Sequence, residues 1–76
     1  MKINLYQEIA LNRDFPEHNL HQGDIATLID YVSHPANGEE GAILEVFNAL
    51  GMSIAVVTVP ISSIDVLSIR RLAQAS

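Results

Sequence analysis

The chain has 76 residues, 49% of them hydrophobic and 17% charged, where an ordinary soluble domain carries about a quarter charged residues. That length allows a single domain, residues 1–76, close to the lower limit at which an apolar core holds a fold together unaided. There is no Cys, which excludes a disulfide framework, thiol chemistry and Cys-based zinc sites, and the formal charge is −5.

The basic residues Lys2, Arg13, Arg70 and Arg71 lie mostly near the ends and form no central patch. A protein that grips phosphates gains affinity through clustered Lys and Arg, so nucleic acid is not an expected ligand. The first eight residues reach Glu8 before any apolar run long enough for a signal peptide. The run from Ile54 to Ile61 is too short to span a bilayer, so no membrane association is expected, and the lack of Cys makes a reducing cytoplasm the natural reading.

Residues 5–13 alternate loosely, with Leu5, Gln7, Ile9 and Leu11 in one phase, and are predicted as the first strand. A helix over residues 3–11 is allowed by propensity, but residues 12–16 would close it early. Residues 14–22 are polar, contain Pro16 and read as a long loop, pinned to the core by Phe15 and Leu20. Gly23, able to take positive φ, opens a second strand over residues 24–33. Its apolar residues Ile25, Leu28, Ile29 and Val32 do not share one period-two face, which predicts a bulge near Ala26 and Thr27.

Residues 34–40 form a predicted surface turn, with Pro35 ending the strand and Asn37-Gly38 suited to a reversal. The third strand covers residues 41–48, with Ala42, Leu44 and Val46 facing in and Glu45 and Phe47 facing out. After a hairpin loop over residues 48–51, a fourth strand over residues 52–59 is apolar on both faces, Ile54 and Val56 on one, Ala55, Val57 and Val59 on the other. Pro60 ends it, residues 60–64 suit one helical turn, and residues 65–69 return as a short fifth strand. The pattern of residues 70–76 leaves strand and helical turn both open.

Five short strands, a long first loop and a helical turn before the last strand describe an all-β fold, a small five-stranded SH3-like antiparallel barrel with one short helical turn. At this point the chain resembles a known family. Gly23-Asp24-Ile25-Ala26-Thr27-Leu28-Ile29 is similar to the Gly-Asp-Val-Gly-Thr-Val-Val opening of a bacterial family of small proteins, domain-of-unknown-function family 4926. Residues 44–51 and 54–59 resemble its later hairpin, and the likeness covers roughly residues 5–68. The resemblance implies an SH3-like barrel and brings no catalytic residues, because fold does not imply function.

Few side chains are arranged for chemistry. His18 and His21, three apart with Asp14 and Glu17 close by, have the residue types of a divalent-metal site, but a loop spacing of three fixes no geometry and no metal is expected there. Ser62, Ser63 and Asp65 with a distant His lack a nucleophile elbow and read as the cap of a helical turn. Glu39, Glu40 and Asp30 read as a solvated acidic surface. Gly23, Gly38, Gly41 and Gly51 are scattered among turns and form no phosphate-cradling loop. No catalytic residue and no cofactor are therefore expected.

The apolar surplus is the informative feature. Phe47, Leu50, Ile54 and Val56 include side chains that alternation puts outside the barrel, and they are the expected interface residues. The function expected is a non-enzymatic interaction module that self-associates as a homo-oligomer, with the product of a neighbouring gene as a further protein partner. The alternative is an accessory subunit that completes the site of an enzyme carried by another chain. In the monomer, the tail with Leu72 is a competing cover for the outer face.

Overall fold

A computed structural model describes residues 3–33 and 38–67. The strands are β1 (Glu8–Leu11), β2 (Ile25–Val32), β3 (Gly41–Phe47), β4 (Ser53–Pro60) and β5 (Ile64–Val66), with 3-10 turns at Pro16–His18 and Ile61–Ser63. They form one five-stranded antiparallel sheet in the order β4-β3-β2-β1-β5. No ladder joins β4 to β5 among the described residues, so hydrogen bonding leaves the sheet open where the sequence predicts a closed barrel. The cause lies in the connection: β4 ends at Pro60, which has no N–H to give, and the turn Ile61–Ser63 occupies the corner between the two edges. Because only that turn separates β4 from β5, the sheet must curl to bring its outermost strands together at one end.

Alternation decides which side of the sheet becomes the core. Ile9 and Leu11 of β1, Ala26 and Leu28 of β2, Ala42, Leu44 and Val46 of β3, Val57 and Val59 of β4, and Ile64 of β5 are all buried. Across the ladders, Leu28 pairs with Leu44 and Leu44 with Val57, so one apolar row crosses three strands. The opposite face carries Glu8, Thr27, Glu45 and Val56, which are likewise successive partners across β1 to β4.

β1 starts three residues later than predicted. Tyr6 takes φ 66, turning the chain before the strand, and its N–H donates to the Leu28 carbonyl at 2.5 Å. Leu5 is consequently exposed instead of continuing the inward phase of Ile9 and Leu11. The N-terminal approach is held again further along, where the Tyr31 hydroxyl donates to the Ile3 carbonyl.

Phe15 and Leu20 do pin the long loop. They pair as an isolated antiparallel bridge, exchanging N–H to carbonyl bonds of 2.9 and 3.1 Å, and both are buried. Pro16–His18 fills the space between them, and Asn19 reverses the chain at φ 59. Gly23 takes φ +92, which a side chain would resist, and its N–H reaches the Leu11 carbonyl at 2.8 Å. Leu11 answers with a bond to the Asp24 carbonyl at 2.9 Å, so the loop closes onto the end of β1.

The bulge in β2 is present but displaced from the prediction. Register slips between Leu28 and Asp30, leaving Ile29 as the extra residue, while Ala26 and Thr27 pair normally with Ile9 and Glu8. The displacement has a simple origin: Ala26 and Leu28 already share the inward phase, and only beyond Leu28 does the strand need to reset. A second irregularity separates Val46 from Phe47 beside the β3–β4 hairpin. The predicted surface turn over residues 34–40 is described only from Gly38 onward. The end of the predicted fifth strand and the tail with Leu72 lie outside the described residues.

Candidate functional site

The four side chains expected at an interface are brought to one corner of the molecule by the β3–β4 hairpin. Phe47 closes β3, Leu50 sits at the turn, and Ile54 and Val56 lie on β4. Their exposures are 40%, 83%, 60% and 59%, and Met52 between them is 61% exposed. Met52 shares the phase of Ile54 and Val56 in the strand expected over residues 52–59, a signal that the expected interface set leaves unused.

The hairpin is held by the side chain of Asn48. Its Oδ1 accepts the N–H groups of Leu50 at 2.9 Å and Met52 at 3.1 Å, while the Asn48 N–H donates to the Met52 carbonyl at 2.9 Å. Polar groups of the turn are thereby satisfied internally, which leaves the apolar side chains to define its outer surface.

Beside this corner runs an open groove of about 500 Å³ between the loop before β2 and the hairpin. Leu20 and Ile25 form one wall, and Val46, Phe47, Ala49 and Ile54 the other. Nothing in the local sequence announces it, since its walls are more than twenty residues apart along the chain. Phe47 and Ile54 thus serve both the groove and the exposed face.

The remaining candidates are engaged in loop structure. Asp14 Oδ1 accepts the Gln22 N–H at 2.7 Å, and Asp24 Oδ2 accepts the His21 N–H at 2.8 Å. The His21 Nδ1 stands 3.8 Å from that Asp24 oxygen, and the ring of His18 lies 6.3 Å from that of Phe15. Among the described residues, no group of three or more His, Asp and Glu side chains is gathered as metal ligands.

Ser62 and Ser63 are likewise structural. The buried Ser63 hydroxyl donates to the Pro60 carbonyl at 2.5 Å, and Ser62 Oγ accepts from Arg13 at 3.2 Å. Glu39 Oε2 accepts the Ser62 N–H at 3.0 Å, and Asp30 Oδ1 accepts the N–H of Tyr31 at 2.8 Å. Hydrogen bonds from the Ser62 hydroxyl and N–H hold the Glu39 carboxyl below its ordinary value, with a smaller attraction from Arg13. The arrangement ties the turn after β4 to the strand connection before β3.

No helix among the described residues is long and apolar enough to cross a membrane. Comparison of the chain with protein-family models, curated proteins and solved structures finds no match in any of the three.

Proposed function

We propose that this chain is an SH3-like barrel, of the kind its family resemblance implies, and that it works as a non-enzymatic interaction module which self-associates through the β3–β4 hairpin. The strand order β4-β3-β2-β1-β5 and the 3-10 turn between the last two strands support the barrel reading. One observation carries the functional part: Phe47, Leu50, Met52, Ile54 and Val56, five large apolar residues within one hairpin, are all exposed.

At roughly 200 Å² for a large apolar side chain, those exposures amount to about 600 Å² per copy. A two-fold contact that covered the whole patch would bury about 1,200 Å² in total, the lower end of the range for stable protein interfaces, and one that covers part of it buries less. A symmetric contact uses one patch on both copies and needs no second complementary surface. At about 25 cal/mol for each Å² of apolar surface removed from water, burial of this patch is the driving force for association. The product of a neighbouring gene is a further partner for the same surface.

Light scattering across a dilution series tests this reading. A dimer or larger species at micromolar concentration is expected, shifting toward monomer in Val56→Glu. A monodisperse wild-type monomer would reject it, leaving the chain's own tail or a foreign protein as the cover of the hairpin.

A further inference from the structure

The two edges of the sheet are built differently. β5 is three residues long and carries Asp65 at its centre, so it is short and charged, two devices that discourage pairing with another chain. β4 is eight residues long, Ser-Ile-Ala-Val-Val-Thr-Val-Pro, and has neither a charged residue nor a Pro before its last position. The edge that lacks protection is also the one that bears Ile54 and Val56.

Which backbone groups of β4 face outward follows from the ladder. The Ile61 N–H bonds to the Glu40 carbonyl at 3.0 Å, and from there the β3–β4 pairs alternate between hydrogen-bonded and non-hydrogen-bonded. Val59, Val57 and Ala55 therefore turn their N–H and C=O groups toward β3. Those of Val56 and Thr58 point to the open edge, where no bond reaches them among the described residues. Pro60 falls in the same outward series, a position where its missing N–H costs the sheet nothing.

From these observations we infer that two copies of the chain pair β4 against β4, antiparallel, with Val56 at the two-fold axis, so that both sheets continue as one. This rests on the self-association proposed above and specifies its geometry. In that register Val56 of each copy exchanges both backbone bonds with its counterpart, and Ile54 of one copy lies beside Thr58 of the other. A register slipped by two residues, the next one that keeps the same backbone groups facing, would set Ile54 opposite Pro60, where a donor is lacking.

Charge separates edge pairing from stacking of the outer faces. Val56 has Glu45 as its cross-strand neighbour, and the same row continues through Thr27 to Glu8. Stacking two such faces would bring carboxylates of two chains of charge −5 together away from water. Edge pairing joins uncharged strands, leaves Glu8 and Glu45 in solvent, and still buries the flanks of Ile54 and Val56 against the second copy. It also adds backbone hydrogen bonds to the apolar contact.

The absence of Cys makes a direct test straightforward. Facing residues of a hydrogen-bonded antiparallel pair stand about 5.5 Å apart at Cα, within disulfide range. Under mild oxidation Val56→Cys should cross-link to a covalent dimer, and Ile54→Cys mixed with Thr58→Cys should cross-link more readily than Ile54→Cys alone. Independently, the amides of Val56 and Thr58 in the wild-type chain should exchange with deuterium about tenfold or more slowly at dimer-forming concentration than after dilution. A dimer by light scattering whose Val56 and Thr58 amides gain no protection, or in which Val56→Cys fails to cross-link, overturns edge pairing while leaving self-association intact. A wild-type monomer overturns both.

Discussion

Glu39 accepts the backbone N–H of Ser62 at 3.0 Å, joining two segments 23 positions apart across the mouth of the β2–β3 connection. Ser62 in turn accepts from Arg13 through its hydroxyl at 3.2 Å, so a single serine links the first loop, the approach to β3 and the turn before β5.

The carboxyl of Glu39 is held below its ordinary value of 4.5, chiefly by these Ser62 bonds. A carboxylate depressed in the folded state adds stability above the unfolded pKa, and that contribution is lost as pH falls through the folded one. Carboxyl-carbon NMR should therefore place the Glu39 midpoint below 4.5, and Ser62→Ala should raise it part of the way back, because the backbone donor survives. Denaturant melts of wild type and Glu39→Gln should converge as the medium is acidified. A Glu39 midpoint at or above 4.5 contradicts the assignment.

Gly41 opens β3 on the outer face, with Val32 and Thr58 closing over it. A Cβ at this position would stand 2.9 Å from Val32 Cγ1 and 3.1 Å from Thr58 Cγ2. Both neighbours are β-branched and rotate reluctantly, so overpacking outweighs the entropy gained by removing a glycine. Gly41→Ala should cost about 1 kcal/mol in chemical denaturation. Pairing it with Val32→Ala should recover most of the loss; failure of that double variant to recover would place the strain elsewhere.

Asn48 holds the hairpin that presents the apolar face. Asn48→Ala removes the acceptor for two N–H groups and should lower stability by about 1–2 kcal/mol. Asn48→Asp keeps an oxygen in the same place and should retain most of it. Equal losses in the two variants, measured by thermal or urea unfolding, would show that the acceptor is not what matters at this position.

How much of this was legible beforehand varies along the chain. Alternation in β3 was unambiguous because Glu45 lies between Leu44 and Val46 and marks the outer phase, and the inward residues follow from it. Phe15 and Leu20 stood out as apolar residues in a polar loop, and they form its bridge. The bulge was visible only as a slipped period: a single strand cannot tell which residue goes unpaired, since the partner β3 decides that at Ile29. The turn at Tyr6 gave no signal at all, because a non-glycine residue in the left-handed region is set by what the flanking chain must reach. Of the candidate surface, strand phase accounts for the exposure of Phe47, Ile54 and Val56, whereas the groove depends on the approach of distant segments.

The pairing of β1 with β5 sets the order in which the molecule can be completed. Ile9 faces Val66 and Leu11 faces Ile64, so the earliest strand has its final neighbour more than fifty residues away along the chain. The β3–β4 hairpin, closed by four residues and an asparagine, needs no such search. During synthesis the hairpin can therefore form first, while one flank of β1 stays uncovered until β5 has been made. Loop-closure entropy makes that last step the slow one. On this account, substitutions at Ile9 or Ile64 chiefly quicken unfolding, while those in the hairpin chiefly slow folding.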